Sequence, residues 1–374
     1  MTKPARSIKR FKLRLIPPLL LAVALLSSAL YAQAENVILL VGDGMGPAHV
    51  SAGRYELLGP EGYLSMEGLP VTGLVKTHSA DHLITDSAAS STAMATGHKT
   101  NNGMIAVLPD GTPVATLMEA AMAAGKSAGV VTTTSVSHAT PAAFLAHQRR
   151  RGDEDRIAEQ MIASPVTIIF GGGLEFFAPK SAKESRRKDN RDLLAEAVDR
   201  GFKVARSKTE LDKIDSGRIL GLFENGGLRT GESSVSLADL TAKAISILAQ
   251  NPKGYFLLIE GGQIDWESHS NDFDDMIQEI KDFDEAVARA RRMTQSDRTL
   301  ILVTADHETG GLVIEDGEPS PGSLDADWTT RSHSAVSVPI YAGGPGSELF
   351  TGVMDNTDIP RRIAKVLGLN FPAD

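Results

Sequence analysis

Thr85 to Gly97, TDSAASSTAMATG, sets an acid and a serine side by side ahead of a small-residue run patterned as a helix. A serine in the first turn of that helix faces orphan backbone N–H groups and the positive end of the dipole, a setting that suits an anion. Asp86 and Ser87 also fit an ordinary N-cap, because both residue types are favoured there in any protein. Chemistry at Ser87 therefore depends on what other stretches bring to it.

Four apolar runs end in groups that ligate metals or move protons. NVILLV leads to Asp43, SAGVVTTT to His138 and Thr140, YFLLI to Glu260 with Asp265 and His269 beyond, and TLILVT to Asp306 and His307. His333 follows in RSHSA. Each has a bland reading when taken singly. Gly42 to Gly46 is spaced G-x-G-x-G, not the G-x-G-x-x-G of a dinucleotide loop; Asp265 and His269, four apart, fit a surface helix contact. Together they offer carboxylate and imidazole ligands without sulfur, which suit catalytic zinc, with an oxygen-rich corner suited to magnesium. Two neighbouring cations form a clamp for in-line displacement at phosphorus.

The elements that must position these groups alternate along the chain. Strands are expected at Asn36–Val41, Val71–Thr77, Ser127–Thr134, Val166–Phe170, Tyr255–Ile259, Thr299–Thr304 and Val338–Gly344, the last of the series. Helices are expected at Ala48–Leu58, Ala115–Ala124, Pro141–His147, Leu237–Gln250 and Phe273–Arg292. This alternation predicts an α/β three-layer sandwich, a central mostly parallel β-sheet with helices on both faces. Ligands in such folds bind beyond the carboxyl ends of the strands, where the acids and histidines fall. The more polar Pro179–Gly231 reads as a surface excursion with one helix near Leu193–Arg200. No linker interrupts the pattern, so residues 35–374 read as a single domain.

Residues 1–34 read differently. Lys3, Arg6, Lys9, Arg10, Lys12 and Arg14 precede an apolar run from Ile16 to Leu30, and Ala32-Gln33-Ala34 closes it. That is a secretory signal peptide, with cleavage expected after Ala34 and export to a periplasm or the exterior. Losing these six cations leaves 32 basic residues against 47 acids, a formal charge of about −15. A general affinity for nucleic acid is thereby disfavoured, and an anionic substrate needs local positive charge such as bound metal. The chain has no cysteine, which excludes disulfides and thiolate sites.

VGDGMG, TDSAASSTAMATG, HATPAAFLAH, EGGQIDWESH, TADHETGG and RSHSA together resemble the ordered motif series of the alkaline phosphatases, from Gly42 to His333. The resemblance implies a catalytic domain that hydrolyses small phosphate monoesters through a phosphoserine at Ser87. It implies one zinc on Asp43, Asp306, His307 and Ser87, a second zinc on Asp265, His269 and His333, and magnesium on Asp43, Glu260 and Thr140. His138 and Trp266 lie just outside the magnesium ligands, where the best-known enterobacterial form has an acid and a lysine, which implies a different preference at that third site. Arg151 matches the phosphate-gripping arginine, with Asp86 as its orienting partner, and a homodimer is implied as well. The alternatives are a phosphodiesterase or sulfatase of the same superfamily, or a non-catalytic exported protein that binds phosphate or metal.

Overall fold

Val37 to Val41 are five consecutive apolar residues with no exposed surface, so the strand they form, β1 (Asn36–Gly42), is covered on both faces. Such a run belongs in the middle of a parallel sheet. The computed structural model, which describes residues 33–231 and 233–371, puts it there. The next strands are β2 (Val71–Lys76), β3 (Ser127–Ser135), β4 (Ile168–Gly172), β5 (Phe202–Ala205), β6 (Arg218–Leu222), β7 (Tyr255–Gly261) and β8 (Thr299–Thr304). After them come β9 (Glu308–Thr309), β10 (Leu312–Gly317), β11 (Leu324–Trp328), β12 (His333–Ser334), β13 (Val338–Gly343) and β14 (Gly352–Asp355).

Ten of these build one sheet in the order β14-β2-β13-β8-β1-β7-β3-β4-β6-β5. Every pairing is parallel except the two made by β13. β10 pairs with β11 and β9 with β12 in two small antiparallel ribbons. The Pro47–Leu58, Leu237–Leu248 and Phe273–Met293 helices pack together on one face, and Ser87–Thr96, Leu117–Ala123, Ala139–Leu145 and Asp358–Leu367 on the other. This is the expected three-layer α/β sandwich.

Two stretches differ from expectation. Within Pro179–Gly231, FKVA and RILGL are strands, and they extend the sheet beyond β4. Their apolar runs are short and sit among charged residues, yet Ile219, Leu220 and Leu222 are buried, so the segment contributes core as well as surface. β13 is likewise not the last strand: β14 adds to the edge beside β2, and the Asp358–Leu367 helix closes the chain over the sheet. Four residues with only Met354 buried give almost no periodic signal.

Gln33–Asp374 form one compact unit. The expected signal peptide lies, through residue 32, outside the described residues. No helix among the described residues is long and apolar enough to cross a membrane.

Candidate active site

The chain's acids and histidines converge because β8, β1, β7 and β3 are neighbours. Their parallel register brings Val41 opposite both Glu260 and Thr304, so Asp43, Glu260 and Asp306 leave the sheet at one level. Thr132 pairs with Glu260 on the other side, and the chain turns from there into His138 and Thr140. The β9–β12 ribbon sets His333 opposite Thr309. Asp265 and His269 stand one turn apart on the Gln263–Ser270 helix, directly after β7.

Ser87 is the first residue of its helix, as its spacing predicts, and is buried. Its Oγ lies 3.2 Å from His307 Nε2. Asp86 is the N-cap and also more than a cap. One carboxylate oxygen accepts from Ala89 N at 3.0 Å; the other accepts from Gly103 N and from Arg151 Nη1, each at 3.0 Å. Arg151 Nη2 donates to His138 Nε2 at 2.9 Å. Of the three consecutive arginines only Arg151 reaches this site. Arg149 donates to Asp110 O at 2.5 Å, and Arg150 is largely exposed beside Asp153.

Among the described residues, three groups of ligand atoms lie close enough to hold cations: Asp43, Asp306 and His307; Asp265, His269 and His333; and Asp43, His138 and Glu260. Asp43 belongs to two of them. His307 Nε2 is 3.4 Å from Asp43 Oδ1 and 3.2 Å from Asp306 Oδ2. His269 Nε2 and His333 Nε2 are 3.1 Å apart and converge on Asp265 Oδ1 at 3.4 and 3.6 Å. In the third group the His138 ring itself joins the ligand atoms, and Trp266 meets it edge-on with ring centres 6.1 Å apart. Thr140 stands beside Glu260, accepting from Ser91 Oγ at 3.1 Å.

A test of whether cations belong here is the state of the buried polar atoms. Both oxygens of Asp43, Asp306 Oδ2, Glu260 Oε1 and His138 Nδ1 are buried without a protein hydrogen-bond partner. Native interiors rarely leave such atoms unpaired. Burial, reinforced by the neighbouring carboxylates, pushes the Asp43 carboxyl well above its ordinary range and Asp306 up to about 7. Glu260 is raised by burial, and His307 is driven far down by burial and by His333. Burial and then the Arg151 charge pull His138 down to about 3. Acids held this dry ionise only with cations beside them, so the residues fit divalent metals.

Several contributors carry no motif signal. Thr132 and Thr134 share a strand face and both donate to Glu260 Oε2, a spacing of two that is legible in TTTS once β3 is known. Ser90, one turn beyond Ser87, donates to Asp306 O at 2.7 Å and accepts from Asn356 Nδ2 at 3.1 Å, which locks the Ser87 helix to the end of β8. Asn102 accepts from Asp86 N at 3.1 Å. Asn356 and Asn102 sit in loops, where nothing in their own neighbourhood marks them.

This fold and this arrangement define a metal-centred α/β hydrolase with a serine at its focus. The family model described as Alkaline phosphatase matches residues 34–324 and 323–369, and the chain belongs to the alkaline phosphatase family. It is 33% identical to Alkaline phosphatase 4 of Bacillus subtilis over 90% of this chain and 89% of that one. It is 32% identical to the Streptomycin-6-phosphate phosphatase of Streptomyces griseus, with 90% and 91% covered. Among solved structures, the alkaline phosphatase of the Antarctic bacterium TAB5 superposes with a TM-score of 0.83 at 35% identity, covering 91% of this chain and 99% of that one. A histidine-to-aspartate variant of that enzyme carries magnesium in its M3 site.

Proposed function

We propose that the protein hydrolyses phosphate monoesters by passing the phosphoryl group through Ser87. The observation that carries this reading is Ser87 Oγ at a helix N-terminus, 3.2 Å from His307 Nε2, with Arg151 held alongside by Asp86. In the first step the Ser87 oxygen bonds to phosphorus as the ester oxygen departs with a proton, leaving an alcohol and a phosphorylated serine. In the second, water attacks the phosphorus, phosphate leaves, and the Ser87 hydroxyl is restored. Arg151 grips phosphate oxygens with its planar fork, and its contacts to Asp86 and His138 fix the fork's plane. The first-turn backbone N–H groups add partial positive charge at the same place.

We assign one zinc ion to Asp43, Asp306, His307 and Ser87, and a second to Asp265, His269 and His333. Magnesium falls to Asp43, Glu260 and Thr140, with His138 and Trp266 beside it. When bound, these cations supply the charge that keeps the buried carboxylates ionised, lowers the proton affinity of Ser87 Oγ and offsets charge on the phosphate oxygens. His138 offers an imidazole at the third corner, which opens that corner to zinc as well as magnesium.

Purified protein is expected to hydrolyse aryl phosphates at alkaline pH, to lose activity to a chelator and to regain it with zinc. Absence of turnover by zinc-loaded protein with Ser87 intact contradicts the reading. A diester or sulfate cleaved faster than the matched monoester moves the activity to the phosphodiesterase or sulfatase class. The basic, apolar and small-residue order of residues 1–34 supports export with cleavage after Ala34, and an exported protein whose mass includes that segment contradicts it. The homodimer rests on the family resemblance; a single-chain mass in sedimentation removes it.

A further inference from the structure

Thr309 is wholly buried, and its hydroxyl touches both zinc-type clusters at once. Its Oγ1 lies 2.5 Å from Asp265 Oδ1 and 3.2 Å from His307 Nδ1. We propose that Thr309 is a positioning residue that couples the two clusters: one hydroxyl orients Asp265 in one and fixes the tautomer of His307 in the other. The proposal rests on the reading of both clusters as cation sites.

The directions of the hydrogen bonds follow from counting protons. A hydroxyl has one proton to give and lone pairs to accept with, and an ionised carboxylate only accepts. As a cation ligand Asp265 is ionised, so the Thr309 proton goes to it. Thr309 Oγ1 is then an acceptor toward His307, whose Nδ1 must carry the ring's single hydrogen. His307 Nε2 is left with a bare lone pair, aimed at Asp43, Asp306 and Ser87.

The other two histidines are fixed in another way. His269 Nδ1 donates to Arg331 O at 2.7 Å and His333 Nδ1 to Thr85 O at 2.9 Å, backbone carbonyls that hold no second ligand. Only at His307 does the orienting partner belong also to the opposite cluster. Gly44 makes the link possible. It has φ +74°, and a Cβ there would stand 2.8 Å from Thr309 Oγ1 and 3.0 Å from Asp265 Oδ1. The same glycine accepts from Thr309 N at 3.1 Å and donates to Asp306 Oδ1 at 3.2 Å, so the middle of GDGMG wraps the bridge. Coupling of this kind is reciprocal: a cation that steadies Asp265 steadies His307, and the reverse.

The test is a zinc titration of chelator-stripped full chain against a chromophoric competitor, comparing wild type with Thr309→Val and Thr309→Ser. Thr309→Val is expected to weaken the first two zinc equivalents together, each by about 10–100-fold, the usual effect of losing a group that orients a ligand. Thr309→Ser, which keeps the hydroxyl, is expected to stay within about threefold of wild type. Wild-type-like binding by Thr309→Val, weakening of one equivalent alone, or a Thr309→Ser variant as weak as Thr309→Val each overturns the proposal. A wild-type chain that takes up no zinc overturns the cation reading itself, and that result is visible before any variant is compared. Should the valine variant not fold, nitrogen-15 spectra of histidine-labelled, chelator-stripped wild type decide, since zinc on Nε2 would by itself put the hydrogen on Nδ1: hydrogen on Nδ1 of His307 is required, and hydrogen on Nε2 refutes the bridge.

Discussion

The Asp43–Asp306–His307 and Asp265–His269–His333 clusters lie face to face, with the His307 and His333 rings 3.6 Å apart, yet they are built on different plans. The inner one, Asp43, Asp306 and His307, has no exposed surface and keeps three carboxylate oxygens without partners. The outer one opens to solvent through His269, whose side chain is 38% exposed, and each member is oriented by a protein partner: Thr309, Arg331 O and Thr85 O. The difference teaches that the chain orients every member of the outer cluster, whereas in the inner one it steadies His307 and one oxygen of Asp306 but leaves Asp43 and the other Asp306 oxygen without a protein partner. Burial supplies a dry site beside Ser87 at the cost of acids that resist ionising on their own.

Substitution breaks this comparison most directly. Asp43 serves two clusters and His269 only one, so Asp43→Ala is expected to remove two cations and His269→Ala one. Turnover should fall by on the order of 10³-fold or more for Asp43→Ala and by less for His269→Ala. Elemental analysis beside kinetics checks both, and equal metal loss in the two variants would defeat the inner–outer distinction.

Arg151 is held by Asp86 and by His138 of the third group and is itself no member of any cluster, so its effect should be smaller. Arg151→Ala is expected to weaken phosphate inhibition and lower kcat/KM by about 10–100-fold, while Arg149→Ala and Arg150→Ala change little. Inhibition constants for inorganic phosphate measure this directly. An Arg151→Ala chain with unaltered phosphate affinity would sink the assigned grip.

The smallest effect separates burial near metal from burial elsewhere. Glu279 accepts from Thr230 N and Oγ1 and belongs to none of the three groups, and burial raises it from 4.5 to about 7. Its folded form holds a proton that the unfolded chain gives up earlier, so its stabilising contribution is complete below pH 4.5 and is lost as pH rises through about 7. Glu279→Gln should therefore flatten the fall in stability between those values by about 1–3 kcal/mol. Melting curves of metal-loaded protein across this range read it. A variant whose pH dependence matches wild type would show that the carboxyl is charged in the fold after all.

Much of this was legible in the sequence because apolar strands announce themselves and parallel sheets put their chemistry at one end. Asp43, Glu260 and Asp306 each follow a run too apolar to be anything but a central strand, and the Ser87 helix starts where its cap pattern says it should. Strands β5 and β14 were not legible because they are short, half-exposed strands at the two edges of the sheet, and β6, although buried, is only five residues long among charged neighbours, so none carries the long apolar signature of the centre. Thr309 and Asn356 were hidden for another reason. Their roles exist only once stretches distant in sequence meet, and a lone hydroxyl or amide has no spacing to betray it. Asp86 shows both limits at once: its cap is local and readable, while its hold on Arg151 spans sixty-five residues.

The central claim is that phosphorus is bonded to Ser87 during turnover. Zinc-loaded protein mixed with a phosphate monoester, quenched in acid and digested for mass spectrometry is expected to carry one phosphoryl group on the peptide containing Ser87, and Ser87→Ala is expected to carry none. Steady turnover with that peptide unmodified at every quench time, or with the phosphoryl group on another residue, would contradict the account.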